Sequence, residues 1–434
     1  MVDFRPFRGI RYRPGVAGPL DRLVCPPYDV ISLAQERVLL EGSDFNMVRL
    51  ELTEAPVEPD GGRYPAAART YHQWLHDGVL GYEDGPTYYL LRQRFAFEGV
   101  ARERYSLTGA LRLEELGTGV LPHEDTAAGP KADRLALMEA CHANFSPLMA
   151  LFEDTDKVVE RARHAAIAHP PTAEFSGDDG QDYALWRIAD GESVAAIAAT
   201  LAPRRLYIAD GHHRYETALN YAKARAENGG GEPAADFVMM SIIDFDDPGL
   251  LILPYYRVVH GLSAQLLTQL RERIVQVFLN QPVAIDTTSP GPLEALVAQE
   301  GVARAVLSLV GSGTEGTSLL TVRDAGLVER YSAEASSPAM GELEAWLLQE
   351  VVLRPVLGDD FARHVTYTHD GQAALDQVRE GGGQLAFFLK GVPRDLFVRL
   401  VGAGIRMPRK STYFHPKLPS GVVMYSLEGA APGG

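Results

Sequence analysis

The stretch Ile208–Ala218 reads Ile-Ala-Asp-Gly-His-His-Arg-Tyr-Glu-Thr-Ala and lies between an apolar run and a run of helical character. The pattern predicts a short buried strand over 204–209, a turn after it, and a helix over 215–222. The polar side chains of the stretch therefore gather where a helix begins. The first N–H groups of a helix have no partners within it and the helix dipole is positive there, so phosphates bind readily at this kind of place.

The polar cluster has two interpretations. In the first, Gly211, His212, His213 and Arg214 hold phosphate groups, and Arg214 adds a forked, charge-assisted contact. In the second, the cluster is structural: Asp210 caps the helix, Gly211 supplies a positive φ, and the histidines are packing residues. So many chemically capable side chains are costly unless something uses them, which favours the first interpretation.

Length and composition are those of an ordinary globular protein with two or three compact units. The chain has 434 residues, of which 46% are apolar and 23% charged, and domains typically hold about 100–200 residues. The sequence starts with no signal peptide, and no window approaches the roughly 18–20 apolar residues of a membrane span. We therefore expect a cytoplasmic protein with no membrane partner.

Charge and cysteine content exclude several classes of protein. The net charge of −16 disfavours binding to the nucleic acid backbone, so we expect no nucleic acid partner. Cys25 and Cys141 have no spacing typical of a disulfide framework or a zinc site.

Alternating strand and helix patterns predict an α/β fold of mixed (α+β) character in two domains, 1–255 and 256–434. In the first domain, the runs over 87–97 and 102–113 predict a β-hairpin. In the second, the pattern over 340–353 predicts a helix.

A second polar cluster lies in a loop between prolines and leads into a helix; it contains His123, Glu124, Asp125, Thr126, Lys131, Asp133 and Arg134. A carboxylate beside a histidine suits general acid–base chemistry, so Glu124 and His123 are catalytic candidates. Ala127 stands where a zinc-protease pattern needs its second histidine, so that pattern is absent. The alternative is a solvated acidic loop in which Lys131 pairs with Glu124 or Asp133.

A basic segment over 406–417 combines cations, hydroxyls and aromatic rings. Lysine binds phosphate as a point charge, and hydroxyls donate to phosphate oxygens or join a metal shell. Lys410, Ser411, Thr412 and Lys417 are therefore candidate phosphate ligands, provided that the segment 406–427 returns to the first domain. The alternative is a solvated basic turn.

Two further elements have structural interpretations when their residues are taken alone. Pro-Pro-Tyr-Asp, which contains Tyr28 and Asp29, is typical of a rigid turn. Asn144, in Asn-Phe-Ser-Pro, is typical of a C-cap that stops a helix. Only a family resemblance makes these three residues site candidates.

Several motifs, taken in their order along the chain, resemble those of one large bacterial and archaeal family of unknown function. Its members are often named ParB-like. The motifs run from about Arg5 to Leu427 and are Pro-Pro-Tyr-Asp-Val, His-Glu-x-Thr with Pro-Lys-Ala-Asp-Arg-Leu, Ala-Asn-x-Ser-Pro, Ala-Asp-Gly-His-His-Arg-Tyr-Glu-Thr-Ala-Leu and Lys-Ser-Thr-Tyr-Phe-x-Pro-Lys. The run from Asp210 to Arg214 is also similar to the phosphate-binding turn of the ParB and sulfiredoxin fold, and most similar to free serine kinases. This resemblance implies a nucleotide-binding core of that fold. Sulfiredoxin chemistry is not implied, because His212 stands where those proteins have a cysteine.

Residues and resemblance together predict a nucleotide-dependent phosphotransferase that acts on a small hydroxylated metabolite, with free serine as the first candidate. ATP or ADP would be the cofactor together with Mg²⁺, and Asp210 or Glu216 would hold the metal or orient the acceptor. Glu124 would take the acceptor's proton, while Lys410 and Lys417 neutralise charge on the transferred group.

Two other functions are compatible with the same residues. One is a nucleotide-binding switch or partner-binding protein that transfers no phosphate, since it needs the same helix-terminal cradle. The other is a metal-dependent hydrolase with His123, Glu124, His212 and His213 as ligands. The sequence is also compatible with a homo-oligomer.

Overall fold

A computed structural model describes residues 1–52, 62–126, 128–177, 180–227, 232–301, 305–311, 316–323, 325–334 and 337–433. Helices and sheets alternate along the chain, so the predicted mixed α/β fold class is confirmed. Among the described residues, no helix has both the length and the apolar character needed to cross a membrane.

The chain divides into two compact units. The first comprises Met1–Pro122, Thr126–Leu250 and Pro416–Gly434, and the second comprises His123–Asp125 and Leu251–His415. The domain boundary between residues 255 and 256, which the sequence pattern indicates, stays a prediction. In the structure, the last residues of the chain lie in the first unit, although the sequence pattern placed them with the second.

The first unit contains a mixed sheet that has nine strands within the described residues. In spatial order the strands are Val120–Leu121, Leu206–Asp210, Leu148–Phe152, Phe237–Asp244, Val100–Arg112, Tyr88–Phe97, Asp182–Ile188 and Ala173–Ser176, with Phe4–Arg5 paired to Val100–Arg112. Leu148–Phe152 runs parallel to Phe237–Asp244 and antiparallel to Leu206–Asp210. All the residues of Leu148–Phe152 are buried, so this strand lies in the core.

The predicted hairpin is confirmed: Tyr88–Phe97 pairs antiparallel with Val100–Arg112. Gly99 closes it with a φ of 75°, a conformation that glycine adopts without the steric cost of a Cβ atom. Polar side chains cap two helices of this unit, because Ser32 accepts from the Gln35 N–H and Asp190 from the Ser193 N–H. The helices are Leu33–Gly42, Val48–Glu51, Arg63–His76, Ala128–Cys141, Val158–Ile167, Gly191–Leu201 and His212–Glu227.

The segment Pro416–Gly434 is built into the first unit by backbone pairing. Tyr425–Ser426 pairs with Ala143–Asn144, Met424 pairs with Ile10, and Ser420 pairs with Cys25. Met424 is fully buried in the same apolar cluster as Ile10 and Trp74. Residues more than 400 positions apart thus share one core.

The second unit contains a sheet of six strands, counted over its described residues. In spatial order they are Phe278–Val283, Thr317–Val322, Val306–Gly311, Leu385–Phe388, Tyr256–Val259 and Val365–Thr368. Leu251–Leu253 and Tyr413–His415 form a separate antiparallel pair. The larger helices are Ala264–Val277, Gly291–Glu300, Ala325–Glu334, Gly371–Arg379 and Arg394–Gly402.

The helix predicted over 340–353 is irregular. Pro338–Glu342 is a 3₁₀ turn, Glu344–Trp346 is α-helical, Leu347–Leu353 is π-helical, and Arg354–Leu357 returns to the α form. Pro355 has no N–H to donate to Val351, and the Val351 carbonyl instead accepts from Arg273 Nε at 2.9 Å. The proline therefore accounts for one departure from regular α-helical bonding that the apolar period does not reveal.

Candidate functional site

The Ile208–Ala218 stretch lies where the pattern predicts, between a buried strand and a helix. The strand is Leu206–Asp210 and the helix is His212–Glu227, which begins three residues earlier than predicted. Gly211 joins them with a φ of 91°, and a Cβ built on it would lie 3.1 Å from two nitrogens of the Arg214 guanidinium. Glycine is thus required here both for backbone conformation and for space.

Asp210 lies at the centre of an ion cluster in the first unit. Arg214 Nη2 donates to Asp210 Oδ2 at 2.5 Å, and Lys417 Nζ donates to Asp210 Oδ1. The three side chains are only 10 to 14% exposed. Two cations therefore surround one carboxylate at the N-terminus of a long helix, and we name this group the Asp210 cluster.

The charges of the Asp210 cluster decide its protonation. Burial by itself would raise the pKa of the Asp210 carboxyl, but the positive charges of Lys417 and Arg214 outweigh burial and hold that pKa well below its usual range. Burial would likewise lower the pKa of Arg214, and the negative charges of Asp210 and then Asp29 raise it instead. Asp210 is therefore an anion at neutral pH, and Arg214 remains a cation.

The sequence predicts that the Arg214 guanidinium makes a forked contact with phosphate, but in the structure its terminal nitrogens donate to protein acceptors. Its Nη1 donates to Ser146 Oγ and to the Pro147 carbonyl, both at 2.9 Å, while Nη2 donates to Asp210. Both terminal nitrogens are thus used within the protein, because a buried guanidinium must satisfy its donors. In this arrangement Arg214 fixes the position of the Asp210 carboxylate.

Two residues that sequence reasoning missed hold the backbone next to Lys417. Arg104 Nη2 donates to the Pro416 carbonyl at 2.6 Å, and Gln93 Nε2 donates to the Lys417 carbonyl at 3.0 Å. Arg104 also donates to Gln93 Oε1, and it is fully buried, which lowers its pKa to about 10. The signal that could have revealed Arg104 is the position of a charged residue in the middle of the strand Val100–Arg112.

A second network in the first unit surrounds Glu216. Lys131 Nζ donates to Glu216 Oε2 at 2.8 Å, and Thr126 Oγ1 donates to the same oxygen at 2.6 Å. Lys131 also donates to Thr126 Oγ1 at 3.1 Å. Lys131 thus pairs with Glu216, and the alternative pairing with Glu124 or Asp133 is wrong.

Arg134 forms a buried cluster with the Tyr28 turn. Its Nη1 donates to Glu51 Oε2 at 2.8 Å, its Nη2 to Asp133 Oδ2 at 2.5 Å, and its guanidinium lies 4.0 Å from the centre of the Tyr28 ring. Burial raises the pKa of Tyr28. The positive charge of Arg214 opposes this increase, and the negative charge of Asp29 adds to it. The structure therefore brings Tyr28 and Asp29 within electrostatic range of Arg214.

Asn144 is not the C-cap that the sequence pattern suggests. The helix Ala128–Cys141 is followed by His142, which has a φ of 48° and whose N–H donates to the Met138 carbonyl. Asn144 is buried, and its Oδ1 accepts from the Met239 N–H at 3.0 Å. Its side chain therefore holds a core strand in place.

The remaining candidates lie in the second unit. The ring of His123 is hydrogen-bonded to Thr412 Oγ1 at 2.9 Å, and Ser411 Oγ donates to the Pro408 carbonyl at 2.5 Å. Glu124 Oε2 accepts from the Lys410 N–H at 3.2 Å. The hydroxyls predicted to bind phosphate thus stabilise the basic segment itself, whereas the Lys410 ammonium group is exposed.

Metal binding was a further candidate chemistry. Over the residues that the structure describes, no group of three or more His, Cys, Asp and Glu side chains is arranged to hold a metal ion. His212 is buried and His213 is half-buried at the first turn of the helix His212–Glu227. The metal-dependent hydrolase stays a prediction.

The chain belongs to the family described as "Protein of unknown function (DUF1015)", which it matches over residues 4–345. No curated protein matches the chain. Among solved structures, a variant of free serine kinase in complex with AMP is 14% identical, with 68% of this chain and 84% of that chain covered and a TM-score of 0.35. A conserved hypothetical protein from Pyrococcus furiosus is 15% identical, with 71% and 92% covered and a TM-score of 0.35. SbnI from Staphylococcus aureus, with a C-terminal truncation, is 9% identical, with 72% and 84% covered and a TM-score of 0.32.

Proposed function

We propose that the protein is a nucleotide-dependent phosphotransferase that acts on a small hydroxylated metabolite, with free serine as the first acceptor to test. The observation that carries the proposal is the Asp210 cluster at the N-terminus of the helix His212–Glu227. Phosphoryl transfer requires mainly positioning and electrostatic stabilisation, and this cluster supplies buried positive charge at a helix dipole.

The cluster places two buried cations, Arg214 and Lys417, at the start of the helix His212–Glu227. The positive end of the helix dipole adds to their charge. A phosphate group fits this combination of buried cations and helix dipole.

Lys417 is the cation best suited to meet the transferred phosphoryl group. Arg214 has three protein acceptors, so its position is fixed, whereas Lys417 Nζ has a flexible stem and donates to Asp210. A phosphate brings more negative charge than one carboxylate. We therefore expect Lys417 to exchange Asp210 for the phosphate when a nucleotide binds.

Magnesium would enter with the nucleotide. Both oxygens of Asp210 accept from cations, and Glu216 Oε2 accepts from Lys131 and Thr126. Neither carboxylate therefore offers a ready set of ligand oxygens, and Mg²⁺ would be held by phosphate oxygens and water. Its contribution when bound is to neutralise phosphate charge.

The proposal is tested first by ligand binding and turnover. A thermal-shift screen of ATP, ADP and AMP with Mg²⁺ is followed by ³¹P NMR of the stabilising nucleotides with serine and other hydroxylated metabolites. A ligand that binds the native state raises the melting temperature, and turnover produces a new phosphorus resonance. Stabilisation without a new resonance favours the nucleotide-binding switch, and the absence of both results contradicts the proposal.

Lys417→Met tests the cluster directly. Loss of one group that stabilises charge in the transition state typically lowers kcat by about 10²–10³-fold, and we expect a decrease in that range. Lys223→Met is the matched control, because Lys223 is half-exposed and donates to Glu115 outside the cluster. Equal kcat values for the two variants would remove Lys417 from the mechanism.

Glu124→Gln tests the predicted base. If Glu124 accepts the acceptor's proton, turnover is lost while nucleotide affinity stays nearly unchanged, because the amide keeps the shape of the side chain. Initial rates by ³¹P NMR and nucleotide affinity by calorimetry separate the two effects. Unchanged turnover would exclude Glu124 as the base.

A further inference from the structure

A cleft of about 990 Å³ lies entirely within the second unit and is not used by the proposed function. Its volume is at the upper end of the range of about 300–1,000 Å³ for small-molecule pockets. Four cations and two carboxylates line it: Arg354, Arg406, Arg409, Lys410, Asp125 and Glu350. The lining therefore contains two more cations than carboxylates in a chain whose net charge is −16, and it favours an anionic ligand.

The carboxylates compensate only part of this positive charge. Arg406 donates to Asp125 at 2.8 Å, and Arg354 donates to Glu350 at 2.7 Å and to Asp359, which does not line the cleft. Arg409 is exposed, and its side chain has no hydrogen bond or ion pair with any residue in the described ranges. Lys410 Nζ donates to the Tyr255 hydroxyl at 3.4 Å and lies 4.9 Å from the centre of that ring. Within the described ranges, the two adjacent side chains Arg409 and Lys410 thus line the cleft without forming an ion pair.

The backbone at Lys410 is strained and is held in that state from both sides. Its φ is 61°, a left-handed conformation that a lysine rarely adopts. The Lys410 N–H donates to Glu124 Oε2 at 3.2 Å, and its carbonyl accepts from Arg257 Nη2 at 3.0 Å. Arg257 is buried, with its guanidinium 5.5 Å from the centre of the Tyr367 ring. Strain that charged partners maintain is typical of functional sites.

The cleft also has aromatic and amide surfaces. Tyr331 and Tyr367 line it and are half-buried, so part of each side chain remains accessible. The π-helical run Leu347–Leu353 contributes the Gln349 side chain to the lining, and π-helical turns occur frequently at functional sites. Flat rings beside a donor–acceptor amide suit a heterocyclic base.

We infer that this cleft binds a nucleoside phosphate, with the base against Tyr331 and Tyr367 and the phosphate at Arg409 and Lys410. The ligand class follows from an aromatic wall next to two cations that form no ion pair within the described ranges, since a nucleoside phosphate carries both complementary groups. The inference does not depend on the Asp210 cluster, which belongs to the first unit. It gives Lys410 a phosphate-binding role within the second unit.

Photolabelling of the full chain with 8-azidoadenosine monophosphate, followed by peptide mapping, locates the binding site. We expect label on peptides that contain Tyr331 or Tyr367, and we expect unlabelled AMP to compete for it. Label confined to peptides of the first unit, or no label that AMP displaces, would overturn the inference. Because the two units contribute different peptides, this result is separable from failure of the proposed phosphotransferase.

Two single substitutions test the phosphate contacts. Arg409→Gln removes one cation, and Lys410→Gly removes the other while keeping a residue that tolerates the positive φ. We expect each to weaken the AMP-competed labelling by about tenfold in affinity, the loss of one charge-assisted contact. Arg379→Gln is the control, since Arg379 is half-exposed, pairs with Asp376 and does not line the cleft. Unchanged affinity in both cleft variants, or an equal decrease in the control, contradicts the phosphate contacts.

Discussion

Asp210 is the residue on which the charge balance of its cluster depends. Asp210→Asn leaves the side chains of Arg214 and Lys417, each nearly 90% buried, without their counterion. Removing one partner of a buried ion pair costs about 3–5 kcal/mol, and we expect a loss of that size in urea unfolding at pH 7. Asp156→Asn is the control because its ion pair with Arg204 is largely exposed. A loss no larger than that of the control contradicts the electrostatic account of the cluster.

The same residue predicts a pH dependence of stability. The pKa of Asp210 is depressed in the folded protein, so its contribution to the free energy of unfolding is complete above the unfolded pKa of about 3.9. The contribution then declines as the pH falls toward the folded-state pKa. We therefore expect the stability difference between the wild type and Asp210→Asn to shrink below about pH 4. Urea titrations of both proteins from pH 7 to pH 3 measure it, and a constant difference contradicts the prediction.

Gly211→Ala separates backbone conformation from close packing. A non-glycine residue at this φ costs about 1–3 kcal/mol, and the added Cβ would also lie 3.1 Å from the Arg214 guanidinium. Gly78→Ala is the matched control, because Gly78 has a φ of 71° and open space around its Cβ position. We expect similar thermal destabilisation from the backbone in both variants, but weaker nucleotide binding only in Gly211→Ala. Equal nucleotide affinity in the two variants would show that Arg214 is not disturbed.

At the scale of elements, the buried pair Arg104 and Gln93 holds the segment that carries Lys417. Arg104→Met keeps much of the side-chain volume but removes the hydrogen bond to the Pro416 carbonyl, so we expect Lys417 and Leu418 to become less protected. Hydrogen exchange of their amides should become faster, while exchange in the strand Leu206–Asp210 stays unchanged. Slow exchange throughout the segment would show that Gln93 and the backbone pairing are sufficient.

Local chemistry explains which elements could be predicted from the sequence. The hairpin around Gly99 and the strand, turn and helix around Gly211 depend on neighbouring residues, and their patterns are visible within a short window. Arg214 shows the limit of such a window. Its charge and helix position suggested a phosphate fork, but its acceptors Ser146 and Pro147 come from a distant loop. The π-helical run before Pro355 likewise depends on tertiary contacts.

At the scale of the whole molecule, the last residues belong to the first unit. A chain that ends at His415 lacks the pairing of Met424 with Ile10 and of Tyr425 with Asn144. We expect it to lose the cooperative unfolding of the first unit and to keep that of the second. Of the three tryptophans, Trp74 and Trp186 report on the first unit and Trp346 on the second. Unfolding followed by single-tryptophan variants distinguishes the units, and an unchanged transition at Trp74 contradicts the prediction.

This long-range closure is what the sequence could not reveal. The motif around Lys417 indicated a phosphate ligand, but only tertiary structure places its ammonium group on Asp210, 207 positions away. The predicted hydroxyl ligands Ser411 and Thr412 instead bond within the second unit. Residue types were thus predictable, while their partners depended on how distant strands meet.

The late position of Lys417 has a consequence for synthesis. A nascent chain emerges from the ribosome with Asp210 and Arg214 before Lys417 is made, because Lys417 lies 207 positions after Asp210. Closing so long a loop is also slow, because contacts of high sequence separation delay folding. A polypeptide that is terminated before residue 417 would therefore lack the lysine of the Asp210 cluster.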